Sequence, residues 1–150
     1  MRAIARLIAS GFGSGYAPKA PGTAGSVLAL LIGAGLMQIS PFALPIAVLL
    51  ACVIGYWSIP LAGGTEDPGW VTIDEFAGQW IAMLALAHVS LAGLLLAFML
   101  FRLFDIAKPG PIGWADRQHG ALGVMLDDVI AGIFAAAIIL IVRQFAGAYL

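Results

Sequence analysis

The amino-acid sequence predicts an all-α protein, a polytopic membrane helical bundle with four to five short spans and a short interfacial N-terminal helix. Of its 150 residues, 62% are hydrophobic and only 10% are charged, whereas soluble domains average about 45–50% and about 25%. The mean hydropathy is +1.03, and long apolar stretches recur along the chain. The single cysteine excludes a disulfide-rich scaffold, and the formal net charge of −1 excludes a basic nucleic-acid binder.

The elements follow from the apolar stretches, since a spanning helix needs roughly 17–25 residues. The opening segment RAIARLIAS combines basic residues with apolar ones, which is typical of an interfacial helix. The third and fourth apolar stretches form a hairpin with short arms, which we interpret as two short spans, with a re-entrant hairpin over 73–104 as the alternative. One membrane-embedded domain over 1–150 is expected, with spans at residues 23–39, 42–62, 73–88, 91–104 and from 129 to the C-terminus.

The charged residues indicate the orientation of the bundle. Counting crossings from residue 1 places all the acidic residues on one side of the membrane, and Arg143 is the single Lys or Arg directed to the other side. Because basic residues concentrate on the cytoplasmic side, the acidic side is predicted to face the cytoplasm.

The acids on that side form groups that could bind a metal. Asp74 and Glu75 precede the third apolar stretch, Asp105 follows the fourth, and Asp127 and Asp128 precede the fifth. Carboxylates at the edge of a bilayer are costly unless they are paired or bind a cation, and Mg²⁺ prefers oxygen ligands. The alternative is that these acids merely complement helix dipoles, an explanation that fits Asp105 worst because it lies at a helix C-terminus.

Basic residues accompany Asp105 at helical spacing. Arg102 lies three residues before it and Lys108 three after, so the three side chains share a helix face. An arginine and a lysine beside metal-binding carboxylates suit a phosphate group. Charge neutralisation within the membrane, with snorkelling of the long side chains, is the alternative.

A glycine-rich segment, GFGSGYAPKAPGTAGS at residues 11–26, leads into the first span. It contains Lys19 and a possible helix N-cap at Thr23, and such turns can offer backbone N–H groups to anions. It lacks the lysine motif of a P-loop, so the segment alone is weak evidence for a phosphate-binding site. His119 could donate a proton to a leaving group, although a bystander role is the commoner one for a loop histidine.

Four segments together resemble the phosphatidylglycerophosphatase A family. They are GFGSGYAPKAPGTAGS, TIDEFAGQW, FRLFDIAKPGPI and GVMLDDVIAGI, in that order, and the resemblance covers nearly the whole chain. It implies a small bacterial inner-membrane phosphatase that requires Mg²⁺ and removes the terminal phosphate of phosphatidylglycerophosphate in the bilayer, with its site on the cytoplasmic face.

The resemblance also implies roles for individual residues. The expected catalytic residues are Asp74, Glu75, Asp105, Asp127 and Asp128. The expected metal ligands are Glu75 and Asp127, with Asp74 and Asp128. The expected substrate-binding residues are Lys19, Thr23, Ser26, Arg102 and Lys108. We expect a smaller loss of activity on replacing Asp128 than Glu75 or Asp127, since Asp128 could act only as a helix cap.

The residues leave some alternatives open. The attacking group could be an activated water or a carboxylate that forms an aspartyl phosphate. An alcohol phosphatidyltransferase would need a DGxxAR…GxxxDxxxD pattern, which is absent. A non-enzymatic transporter would need carboxylates deep in the spans and facing both sides.

Overall fold

The structure is a computed structural model that describes residues 1–146. These residues contain no strand, so the prediction of an all-α membrane protein is confirmed. The last four residues of the predicted fifth span lie outside the described part. The helices are α1 (Arg2–Ala9), α2 (Pro21–Ile39), α3 (Ala43–Ala62), α4 (Ile73–Met83), α5 (Leu91–Ala107), α6 (Pro111–Asp116) and α7 (Gly120–Ala146), and a 3₁₀ turn covers Ser14–Tyr16.

Three of these helices are long and apolar enough to cross a membrane, namely α2, α3 and α7. The prediction of four to five spans is therefore too high. Helix α4 has only 11 residues and extends about 16 Å, against a hydrocarbon core of about 30 Å. Helix α5 has 17 residues, which is the lower limit of the length that a span needs. The short arms agree better with the re-entrant alternative for the hairpin.

Helix α4 lies at the centre of the bundle, where it packs against α2, α3, α5 and α7. Phe76 and Met83 on this helix are fully buried. The indole Nε1 of Trp80 donates to the backbone carbonyl of Ala29 on α2 at 2.7 Å. Because it is surrounded by protein, α4 can carry polar side chains into the bundle without exposing them to lipid.

Helices α4 and α7 approach each other closely at two glycines. A Cβ atom built on Gly132 of α7 would lie only 3.0 Å from the Cα of Gly78 on α4, so the two backbones are in direct contact. Gly78 follows Asp74 by four residues, and Gly132 follows Asp128 by four. Since residues four apart share a helix face, this contact lies one turn below the acids and brings those of α4 against those of α7.

Two helix starts differ from the predictions. Helix α2 begins at Pro21 after Ala20, so Thr23 lies inside its first turn and is not the N-cap. Helix α7 begins at Gly120, whose φ of 78° suits glycine, and not at residue 129. Asp127 and Asp128 consequently lie in the third turn of α7, too far from its start to act as caps of the helix dipole, whose effect fades beyond the first turn.

The N-terminal segment closes one end of the bundle. The predicted interfacial helix forms as α1 and packs on α3, with Ala5 and Ala9 buried. The glycine-rich segment then folds onto the start of α4, where Ser14 Oγ and Thr72 Oγ1 are 3.1 Å apart and the backbone N–H of Thr72 donates to Ala9 at 2.9 Å. These contacts anchor the N-terminal end of α4, next to Asp74.

Candidate active site

Acids from three separate helices converge at one end of the bundle. Carboxylate oxygens of Asp74, Glu75 and Asp128 lie within 4.8 Å of one another, and so do those of Asp105, Asp127 and Asp128. Asp128 belongs to both groups. We call these five residues the acid cluster. Its position at one end of the bundle differs from the two-sided distribution of acids that a transporter would need.

Most of the acid cluster is buried. Asp74 is 6% exposed, Asp127 6% and Asp128 3%, although aspartates are rarely buried unless they are paired. Burial raises the pKa of Asp74 to about 6, and this exceeds the opposing effect of its hydrogen bond with Glu75. Burial, followed by the charge of Asp74, raises the pKa of Glu75 well above its usual value. Such a group of acids strongly favours a partner of positive charge.

Two cationic side chains flank the acid cluster. Arg102 forms an ion pair with Asp105, and its terminal nitrogen donates to the buried Ser26 Oγ at 3.4 Å. Lys108 is bonded to Asp116 and, at 2.9 Å, to Asp127.

The surroundings of Lys108 stabilise its protonated form. Burial lowers the pKa of Lys108, but its hydrogen bonds to Asp116 and Asp127 outweigh this effect, so the pKa is raised overall. Lys108 is therefore charged at neutral pH, and both Lys108 and Arg102 lie where they could contact a phosphate bound beside the acid cluster.

Two oxygens of the acid cluster suit a metal ion. Glu75 Oε2 and Asp128 Oδ1 are buried and have no hydrogen-bond partner within the described residues. A hard divalent cation takes several oxygen ligands from carboxylates and water. The donor set of Asp74, Glu75 and Asp128, which contains oxygen alone, fits Mg²⁺ and offers nothing to a thiophilic metal.

The five predicted substrate-binding residues have different surroundings in the structure. Ser26, Arg102 and Lys108 lie at the acid cluster. Lys19 and Thr23 line an open groove of about 420 Å³ on the outer surface of α2, whose apolar walls include Val27, Leu28 and Leu31.

The first part of the glycine-rich segment uses its N–H groups within the fold. The N–H groups of Gly13, Ser14 and Gly15 donate to carbonyls within the segment and at the end of α1. The glycines instead allow close packing, since a Cβ on Gly11 would lie 2.6 Å from Thr72 Oγ1.

Several residues of the site were not identified from the sequence. Asp116 holds Lys108, and Asp67 lines a cavity of about 640 Å³ that opens beside Asp127. His119, which the sequence indicated as a possible proton donor, is exposed and borders the same cavity. Gln79 is fully buried below the acid cluster, and its position four residues after Glu75 in TIDEFAGQW was a signal that could have identified it.

A buried carboxylate cluster with an arginine and a lysine, at one end of a bundle of apolar helices, defines a class of membrane protein equipped for phosphoryl chemistry. The phosphatidylglycerophosphatase A family model matches residues 7–143. The chain belongs to this family, and the predictions of the family and of a phosphatase are confirmed.

Named relatives agree with this assignment. Phosphatidylglycerophosphatase A of Escherichia coli (strain K12) is 39% identical over 138 residues, which cover 89% of this chain and 80% of that protein. The protein of the same name from Haemophilus influenzae is 36% identical, covering 93% and 88%. A Bacteroides thetaiotaomicron protein provisionally named a phosphatidylinositol-3-phosphatase is 38% identical, covering 94% of each chain. No solved structure matches the chain significantly.

Proposed function

We propose that this chain is a Mg²⁺-dependent phosphatase that hydrolyses the terminal phosphomonoester of phosphatidylglycerophosphate, giving phosphatidylglycerol and phosphate. The observation that carries the proposal is the convergence of the acid cluster with Arg102 and Lys108 at one end of a membrane bundle. The family and its two relatives named phosphatidylglycerophosphatase A support the choice of substrate.

Asp74, Glu75 and Asp128 would hold the Mg²⁺. Support comes from their mutual oxygen distances of at most 4.8 Å and from the unpartnered oxygens of Glu75 and Asp128. When bound, Mg²⁺ would neutralise charge on the phosphoryl group and lower the pKa of a water molecule. Asp105 and Asp127 are paired with Arg102 and Lys108, so we assign them to orienting these cations.

Arg102 and Lys108 would bind the phosphoryl oxygens. The guanidinium of Arg102 is held by Asp105 and Ser26, while its Nε has no partner within the described residues. Because both side chains are already oriented by carboxylates, they need little reorganisation as charge develops in the transition state. Their positive charge also offsets the repulsion between the acid cluster and an anionic substrate.

The surroundings of the cluster suit a lipid. The cavity beside Asp127, also lined by Glu66 and Asp116, has a volume of about 640 Å³ and could hold a polar head group. An apolar groove of about 400 Å³ between α3 and α7, lined by Leu126 and Val129 among others, flanks the same stretch of α7. A phospholipid can therefore keep its acyl chains in the bilayer while its phosphate reaches the acids.

We further propose that the site faces the cytoplasm at the inner membrane of a bacterium. This rests on the distribution of basic residues, since Lys and Arg concentrate on the cytoplasmic side of membrane proteins. Arg2 and Arg6 lie on α1, whose last residue is bonded to Thr72 at the start of α4, and Arg6 stacks on Trp70 at 5.1 Å. Arg143, near the other end of α7, donates to the carbonyl of Ala85.

Purified protein in detergent micelles tests the proposal. We expect release of inorganic phosphate from phosphatidylglycerophosphate that EDTA abolishes and Mg²⁺ restores. The panel should include phosphatidylinositol 3-phosphate, the substrate in the name of the Bacteroides relative, and phosphatidic acid. Faster turnover of either lipid would replace the proposed substrate, and the absence of release from all three would refute a lipid phosphatase.

The same preparation distinguishes the two routes of attack. We propose attack by water, because the carboxylates of Asp105 and Asp127 are engaged by cations and those of Asp74, Glu75 and Asp128 are the proposed metal ligands. Acid quenching during turnover of lipid with a labelled terminal phosphate should then leave no label on the protein. A labelled, acid-stable protein would indicate an aspartyl phosphate instead.

A further inference from the structure

The buried polar atoms that lack partners in this protein are concentrated at one place. Within residues 1–146, every buried side-chain nitrogen or oxygen without a hydrogen-bond partner belongs to Glu75, Gln79, Arg102 or Asp128. The first, third and fourth of these residues form the site described above. Gln79 is the exception, since the proposed function has given it no role, although both its amide atoms lack partners.

Gln79 lies directly beneath the acid cluster. It follows Glu75 by four residues on α4, so the two side chains share a face of that helix one turn apart. Its neighbour Gly78 abuts the backbone carbonyl of Asp128, at 2.6 Å from an added Cβ, and its other neighbour, Trp80, is bonded to α2. Gln79 is therefore enclosed at the level where α2, α4 and α7 meet.

The carboxamide of Gln79 is costly in this position. Its residue is 0% exposed, and a buried amide that makes no hydrogen bond loses its hydration without compensation. Unsatisfied groups of this kind in a folded protein call for an explanation such as a bound ion, a water or a catalytic role. Leucine has a similar size and would fill the space without this cost, so the amide itself needs a ligand.

We propose that Gln79 is a positioning residue of the cation site, whose carboxamide hydrogen-bonds the water ligands of the divalent cation held by Asp74, Glu75 and Asp128. The inference rests on the proposed function. Mg²⁺ keeps several water ligands when bound by protein carboxylates, and these waters need partners. A carboxamide is suited to them because it both donates and accepts hydrogen bonds while adding no charge.

The test compares wild type, Gln79→Leu and the matched control Gln38→Leu. The control makes the same change at an exposed position near the C-terminal end of α2. Thermal unfolding in detergent is followed in EDTA and across a Mg²⁺ titration. We expect Gln79→Leu to unfold at a higher temperature than wild type in EDTA, because the unpartnered amide is gone. It should need at least about tenfold more Mg²⁺ for half-maximal stabilisation, as is typical when a partner of metal ligands is lost. Gln38→Leu should match wild type in its Mg²⁺ response.

Phosphate release supplies the second readout, with kcat for Gln79→Leu expected to fall while KM for the lipid changes little. A wild-type Mg²⁺ requirement and kcat in Gln79→Leu would overturn the inference. Should Gln79→Leu fail to fold, Gln79→Glu decides the matter: an added carboxylate near the cation should lower the Mg²⁺ requirement, and an unchanged requirement would also overturn the inference. If wild type itself shows neither Mg²⁺ stabilisation nor phosphate release, the proposed function fails first.

Discussion

The contact between Gly78 and Gly132 should control the geometry of the acid cluster, and Gly132→Ala tests this. The added Cβ would lie 3.0 Å from the Cα of Gly78 and closer still to its carbonyl oxygen. Carbon atoms normally pack at about 3.5–4.0 Å, so α4 and α7 must separate by roughly 0.5–1 Å. That separation would move Asp74 and Glu75 away from Asp128.

The expected consequences can be estimated from this shift. Overpacking of this kind costs about 1–3 kcal/mol, a fraction of the roughly 5–15 kcal/mol that stabilises typical domains, so most molecules should stay folded. A misplacement of about 1 Å in an active site can cost about 100-fold in rate. We therefore expect Gly132→Ala to lower kcat for phosphate release by roughly 10- to 100-fold.

The assay is the initial rate of phosphate release at saturating lipid, measured well below the unfolding temperature of each variant. Gly35→Ala is the matched control, because it makes the same change in helix α2 at a position with no atom within 4 Å of the new Cβ. It should keep the wild-type rate and match or slightly exceed the wild-type stability. A wild-type rate in folded Gly132→Ala would refute the idea that the glycine contact sets the distance between the acids.

Three further predictions concern the charged groups. Asp128→Asn removes an acid whose oxygen lies close to all four other acids of the cluster, so its phosphate release should fall at least as far as that of Glu75→Gln. A smaller fall would argue against Asp128 as a metal ligand. Arg102→Lys keeps the charge but loses the planar fork, and KM for the lipid should rise about tenfold, whereas an unchanged KM would exclude phosphate contact. Burial raises the pKa of Asp74 from 3.8 to about 6, so the folded protein binds more protons than the unfolded chain between those values. Its melting temperature in EDTA should therefore fall between about pH 4 and pH 6; a rise would contradict the raised pKa.

The expected small effect of replacing Asp128 illustrates how a wrong helix boundary alters a functional prediction. The sequence suggests that a helix begins near residue 129, because two adjacent acids commonly mark a helix start. In the structure α7 begins at Gly120, so Asp128 is interior to the helix and faces the other acids. A cap role is then excluded by position, and the expected loss becomes large.

Composition was sufficient to predict the membrane class, because a chain this apolar and this poor in charge cannot form a soluble surface. The length of the apolar stretches was sufficient to predict helices. The helix bounded by Pro41 and Gly63 was likewise predictable, as α3 covers Ala43–Ala62 within one residue of the expected range. Proline and glycine end helices through their own backbone conformations, so these boundaries can be predicted without knowledge of the fold. The positions of the acids at the ends of apolar stretches also indicated that they would gather on one side.

The tertiary structure decided which of those residues meet. The length of α4 depends on its burial among four other helices, and no local pattern distinguishes a buried short helix from a short span. The pairing of Asp105 with Arg102, the pairing of Asp127 with Lys108 and the enclosure of Gln79 all depend on helix packing. Packing joins residues far apart in the chain through contacts such as Gly78 with Gly132, and such contacts have no periodicity in the sequence that could reveal them.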